Sequence, residues 1–142
     1  MKIRMIISKY EPQLYAVLRI MAGFLFLWHG SQKIFGFPPS GHEIHINYVV
    51  VIGGPIEFFG GLLIMLGLFT KIAAFICSGE MAFAYWISHG THAVLPIVNH
   101  GEFALLFCFL FLFMAAHGSG TWSLDRWWAN RGQADKRTDS PP

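Results

Sequence analysis

Residues 18–33 read LRIMAGFLFLWHGSQK. The run is apolar enough for a membrane-spanning helix, yet it carries Arg19, His29 and Lys33. A charge at membrane depth costs a few kcal/mol or more and calls for a partner. The rest of the chain offers three carboxylates, Glu57, Glu80 and Glu102, one on each of three further apolar segments. The fold expected from this pattern is all-α: a polytopic membrane protein in which four transmembrane helices bundle around the first.

Composition supports the same class. Of 142 residues, 54% are hydrophobic and 13% charged, against about 25% charged in an ordinary soluble domain. A formal net charge of +2 gives no basis for nucleic-acid binding, and no glycine-rich nucleotide loop or zinc spacing occurs. The N-terminal Lys2, Arg4 and Lys9 resemble the basic part of a signal peptide. The apolar run that follows is too long and has no A-x-A-like cleavage site, so the N-terminus is expected to be retained.

The spans are expected at about residues 14–36, 48–69, 72–88 and 102–117, near the length needed to cross about 30 Å of hydrocarbon. Residues 1–130 then form the transmembrane domain, and 131–142 a disordered cytoplasmic tail. Of the ten Lys and Arg, eight lie before the first span, in the second connection (Lys71) or after the fourth span. The positive-inside rule therefore places both termini in the cytoplasm. Trp122, Trp127 and Trp128 follow the fourth span, and Trp28, Tyr48, Tyr85 and Trp86 lie near the outer ends, as interfacial aromatics should.

At helical spacing, Arg19, Gly23, Phe26, Gly30 and Lys33 share one face, with His29 beside it. Gly53, Glu57, Gly60 and Gly67 share another, flanked by Gly61, and the glycines invite close helix packing. Pro55 should kink the second helix one turn from Glu57. Depth arithmetic predicts two clusters. A deep structural ion pair joins Arg19 to Glu57 and Glu80. An outer cluster joins Lys33 and His29 to Glu102, whose place at a helix start also suits the helix dipole. Two fixed cations against three carboxylates leave a surplus that a proton must balance. This makes His29, Lys33, Glu57, Glu80 and Glu102 candidates for a ligand or proton site. The same charges would equally serve a purely structural network that sets helix register.

The outer connections hold His42, His45, His89, His92 and His100. His42/His45 and His89/His92 have H-x-x-H spacing, but a loop imposes no ligand geometry, and no metal site is assigned. Cys77 and Cys108 lie inside apolar runs, and the depth estimate separates them by roughly 12 Å, beyond disulfide reach.

Several stretches resemble the DoxX family of small four-span membrane proteins. They are LR…G…WHGSQKIFG in the first segment, GGPIEFFGGLLIMLGLFTK in the second, Glu80-Met81, Asn99-His100-Gly101-Glu102, and GSGTWSLDRW after the fourth. Together they cover about residues 18–126. Residue by residue, the resemblance falls on Arg19, His29, Gly30, Lys33, Glu57, Gly60, Gly61, Glu80, Glu102 and Asp125. It implies a multi-pass protein of the bacterial inner membrane, associated with quinone-coupled oxidation. The expectation is a redox-associated subunit binding a quinone or similar small ligand between helices, with electrons supplied by a partner. The alternatives are a non-catalytic accessory subunit of a larger membrane complex, or a small transporter. Other membrane subunits or further copies of the chain are the expected partners within the bilayer.

Overall fold

A computed structural model describes residues 7–39, 49–91 and 93–138. Every regular element among the described residues is helical. Helix α1 runs Glu11–Phe35. Helix α2 runs Gly54–Leu66, preceded by a π-helical turn over Val49–Gly53. Helix α3 runs Thr70–Ala84 and continues as a π-helical turn over Tyr85–Gly90. A single turn, α4 (Pro96–Asn99), leads to α5 (Glu102–His117), and α6 runs Leu124–Thr138.

Each of the four apolar segments is therefore helical. Helix α1 is long and apolar enough to cross a membrane, whereas Val50–Leu66 and Glu102–His117 are apolar but shorter. Pro55 stands in the first turn of α2, just after a π-helical turn, and not at a kink inside the helix. Its missing N–H interrupts the ladder, and the chain before it winds as a π turn instead of a regular α-helix. The tail differs from expectation. Residues 131–138 are helical, continuing α6, whose first turn carries Asp125 and whose Arg131 guanidinium lies 4.0 Å over the Trp127 ring. A favourable charge at the helix start and an i,i+4 stack both support helix in a polar stretch.

The helices pack as two intimate pairs, α1 with α2 and α3 with α5, joined by the tight α2–α3 turn. Glycine makes the first pair. A Cβ on Gly23 would stand 2.6 Å from the Gly61 carbonyl oxygen, and one on Gly30 would stand 2.7 Å from the Gly54 carbonyl and overlap the Phe58 amide. Gly60 makes room for the Cys77 sulfur of α3. Gly67 adds a turn to the packing role expected of it. Its φ of 68° ends α2 in the left-handed conformation, and it abuts Ser123 and the Arg19 guanidinium. Gly30→Ala is expected to destabilise the bundle by about 1–3 kcal/mol, because the backbones must separate. A thermal unfolding scan in detergent checks this, and an unchanged midpoint would contradict the close contact.

The core is apolar, centred on Phe26, Ile64, Phe111 and Met114, with Phe26 and Phe111 in an edge-to-face contact at 4.7 Å. The distribution of polarity is inverted relative to a water-soluble bundle. Phe75, Phe103 and Phe109 are exposed, while Arg19 is 0% and Glu57 2% exposed.

Candidate functional site

The two cations of α1, Arg19 and Lys33, have separate fates. Arg19 meets no carboxylate among the described residues. Its guanidinium donates to the carbonyls of Ile64 (2.7 Å) and Met65 (2.8 Å) at the end of α2, and of Thr121 (3.3 Å) and Trp122 (2.8 Å) in the α5–α6 connection. The expected ion pair with Glu57 and Glu80 is thus replaced by a carbonyl clamp. The register explains it. The glycine contacts set Gly23 beside Gly61 and Gly30 beside Gly54, so Glu57 lies level with the Lys33 end of α1. Arg19 is fourteen residues from Lys33, about 21 Å along the helix.

Asp125 completes this clasp. Its carboxylate accepts the Phe69 N–H at 2.9 Å and the Thr70 N–H at 3.3 Å, capping α3, while its own N–H donates to the Gly67 carbonyl at 3.0 Å. The motifs around Arg19, Gly67–Lys71 and GSGTWSLDRW are therefore one structural lock at this end of the bundle.

The other end holds the chemistry. Lys33 Nζ donates to Glu57 Oε1 at 2.6 Å. Glu80 reaches the same place from α3, since its Oε1 and the Lys33 Nζ both come within 4 Å of where a Cβ on Gly53 would stand. The absent side chain at Gly53 is what leaves room for them. Glu57 Oε2 and Glu80 Oε2 are both buried without a hydrogen-bond partner. One ammonium against two carboxylates leaves one unit of negative charge to be balanced.

This group borders a cavity of about 190 Å³. Its polar lining includes His29, Lys33, Glu57 and His89; Phe26 and Phe107 are among its apolar walls. The exposed residues His29, Ser88 and Phe103 mark its opening. One π-helical turn supplies Ser88 and His89 to its wall, and the other ends at Gly53, beside Lys33 and Glu80. Such turns recur where a fold places side chains off the regular helical register.

Glu102 does not join this cluster. It is exposed at the start of α5 and outside the cavity wall, so the outer trio expected with Lys33 and His29 is replaced by Lys33, Glu57 and Glu80. The reason is again register: the long Lys33 stem reaches inward along α1 to Glu57 instead of outward.

His89, which the sequence suggested only as half of an H-x-x-H pair, is a wall residue instead. Its Nδ1 lies 2.9 Å from the Asn99 carbonyl. Asn99 is the organiser of this connection. Its amide donates to Ala93 O at 2.7 Å and to the Tyr85 hydroxyl at 3.2 Å, and its Oδ1 accepts the Gly101 N–H at 2.8 Å. A buried polar residue in an NHGE stretch was the available signal. His42, His45 and His92 lie outside the described residues, and no group of three or more metal-ligating side chains occurs among the described ones.

The cysteines are both buried and free. Their expected separation in depth does not hold, because Ser78 Oγ donates to the Cys108 carbonyl at 2.8 Å, bringing the Cys77–Ser78 step level with Cys108.

Comparison with known proteins agrees with this geometry at the level of family. The sequence model of the DoxX family matches residues 14–90, the stretch that contains Arg19, Lys33, Glu57, Glu80 and His89. An uncharacterized protein of Haemophilus influenzae is 41% identical over 125 residues, covering 84% of this chain and 93% of that protein. No solved structure gives a significant match.

Proposed function

The chain belongs to the DoxX family of membrane proteins, and from that premise we propose that it is a redox-associated subunit that binds a quinone-type head group between its helices. In this reading the protein crosses the bacterial inner membrane four times with both termini cytoplasmic. The apolar exterior, with Phe75, Phe103 and Phe109 facing outward, supports immersion in lipid. Lys71, Arg126 and Arg131 gather at the Arg19 end of the bundle, the end that the positive-inside rule assigns to the cytoplasm.

The observation that carries the reading is the cavity itself. It sets a part-buried ion pair and two imidazoles against phenylalanine walls, the combination a polar ring with an apolar tail requires. Lys33 and His29 would hold ring oxygens, and Phe26 and Phe107 would flank the ring. The bound group would supply electron-carrying capacity that the side chains lack, and a partner subunit would exchange the electrons.

The test is direct. Organic extracts of the purified protein are expected to contain quinone. Glu57→Gln and His29→Ala should lower the content several-fold while the protein remains folded. Protein free of quinone and unresponsive to added quinol would overturn the reading. A non-catalytic accessory role draws support from Arg19 and Asp125, whose charges are fully engaged in holding the fold together. It predicts a parent complex whose activity survives neutralisation of Lys33 and Glu57 together.

A further inference from the structure

At the Arg19 end of the bundle, a groove of about 540 Å³ runs between the end of α2 and the start of α6. Met65, Leu66, Trp122 and Trp127 give it an apolar lining, and Arg126 and Asn130 a polar one. The lock described above fixes these parts. Arg19 holds the Met65 and Trp122 carbonyls, and Asp125 ties the first turn of α6 to the start of α3. Trp122 takes a left-handed φ of 54°, which few non-glycine residues adopt, and its indole is 62% exposed. Trp127 is 47% exposed, with the Arg131 guanidinium 4.0 Å over its ring. Trp128 is exposed too. Indoles gathered at a surface in this way are the mark of a membrane–water interface.

The charge of the groove is unopposed. Arg126 is exposed, and its neighbours three and four residues away are Trp122, Ser123, Ala129 and Asn130, none of them acidic. Among the described residues the one ion pair is Lys33–Glu57. Asp125 spends its carboxylate on the Phe69 and Thr70 amides. The counter-charge of Arg126 must come from outside the chain. A free anion would satisfy the guanidinium and leave the apolar lining bare. A phospholipid satisfies both, with its phosphate on Arg126 and an acyl chain along Met65 and Leu66. A zwitterionic head group would bring its own ammonium to the same cation. We infer that this groove binds a phospholipid with a net negative head group, of the phosphatidylglycerol class. The inference rests on the bilayer placement proposed above, with this end cytoplasmic, and is independent of the quinone reading.

Native mass spectrometry of the delipidated full-length protein in detergent, titrated with dioleoyl phosphatidylglycerol or dioleoyl phosphatidylcholine, tests this. Phosphatidylglycerol is expected to bind about 5-fold more tightly, the factor that one basic residue contributes near an anionic lipid surface. Arg126→Gln, a change at an exposed side chain, should bring the two affinities together, and Arg126→Lys should keep most of the preference. Lys71→Gln removes an exposed cation outside the groove lining and should leave the preference intact. Equal binding of the two lipids, or a preference that survives Arg126→Gln or falls equally in Lys71→Gln, would overturn the inference and leave the bilayer placement standing. Displacement of the lipid by inorganic phosphate beyond that by chloride at equal ionic strength would make the groove a free-anion site and overturn it. So would a dimer without lipid that dissociates in Arg126→Gln, which would give the groove to a second copy of the chain. Protein that stays dispersed without detergent and binds neither lipid would overturn the bilayer placement and this inference with it.

Discussion

Arg19→Leu is expected to cost several kcal/mol of stability, since a buried carbonyl that loses its donor costs about 1–3 kcal/mol and the guanidinium serves four of them. The guanidinium is fully buried and is the shared donor for carbonyls of two separate stretches, Ile64–Met65 and Thr121–Trp122. Leucine would leave those carbonyls without this donor and would detach the α5–α6 connection from the end of α2. Arg19→Lys should recover only part of the loss, because a single ammonium cannot reproduce the planar fork that serves both stretches. Unfolding in a graded detergent mixture, followed by size-exclusion profile, reads both variants. Folded Arg19→Lys protein should bind its ligand with unchanged affinity, since the clamp is about 21 Å along α1 from Lys33. Wild-type stability in Arg19→Leu would refute the clamp. A large affinity loss in well-folded Arg19→Lys would return Arg19 to the chemistry.

The second large effect concerns the pair at the cavity. Lys33→Met should destabilise the protein by about 3–5 kcal/mol, since it leaves Glu57 buried beside Glu80 with no cation between them. Glu57→Gln should cost markedly less. Lys33 would keep Glu80 as its counter-charge, and the local sum would become neutral. The double variant Lys33→Met/Glu57→Gln is then expected to be more stable than Lys33→Met alone. A double-mutant cycle measures this coupling. Equal losses from the two single variants would mean that Glu80 lies outside the network, and additive losses would mean that the ion pair contributes nothing beyond its parts.

Arg19 and Lys33 show where reading from the chain succeeds and where it stops. Both stand out in the sequence as cations inside an apolar helical run, and Arg19 is fully buried while Lys33 is partly so. Lys33 was also correctly expected to need a carboxylate, but the one assigned, Glu102, is exposed. The partner is Glu57, because the depth of a side chain on one helix says little about its register against another. Arg19 was matched to carboxylates because only they stand out in a sequence. Its actual partners are main-chain carbonyls, which every residue possesses and which no residue type announces.

Several features were determined by the sequence alone. The apolar segments, their breaks at glycine and proline, the glycine-bearing faces and the family resemblance all follow from local composition and helical periodicity. These are properties of a helix considered by itself. Tertiary structure alone decided which groups meet: the carbonyl clamp on Arg19, the Lys33–Glu57–Glu80 cluster, the contact of His89 with the Asn99 carbonyl, and the level of Ser78 against Cys108. The physical reason is that register between helices is set by close backbone contact, here at Gly23, Gly30, Gly54 and Gly61. One helical turn of slip, about 5.4 Å, is enough to exchange one hydrogen-bond partner for another.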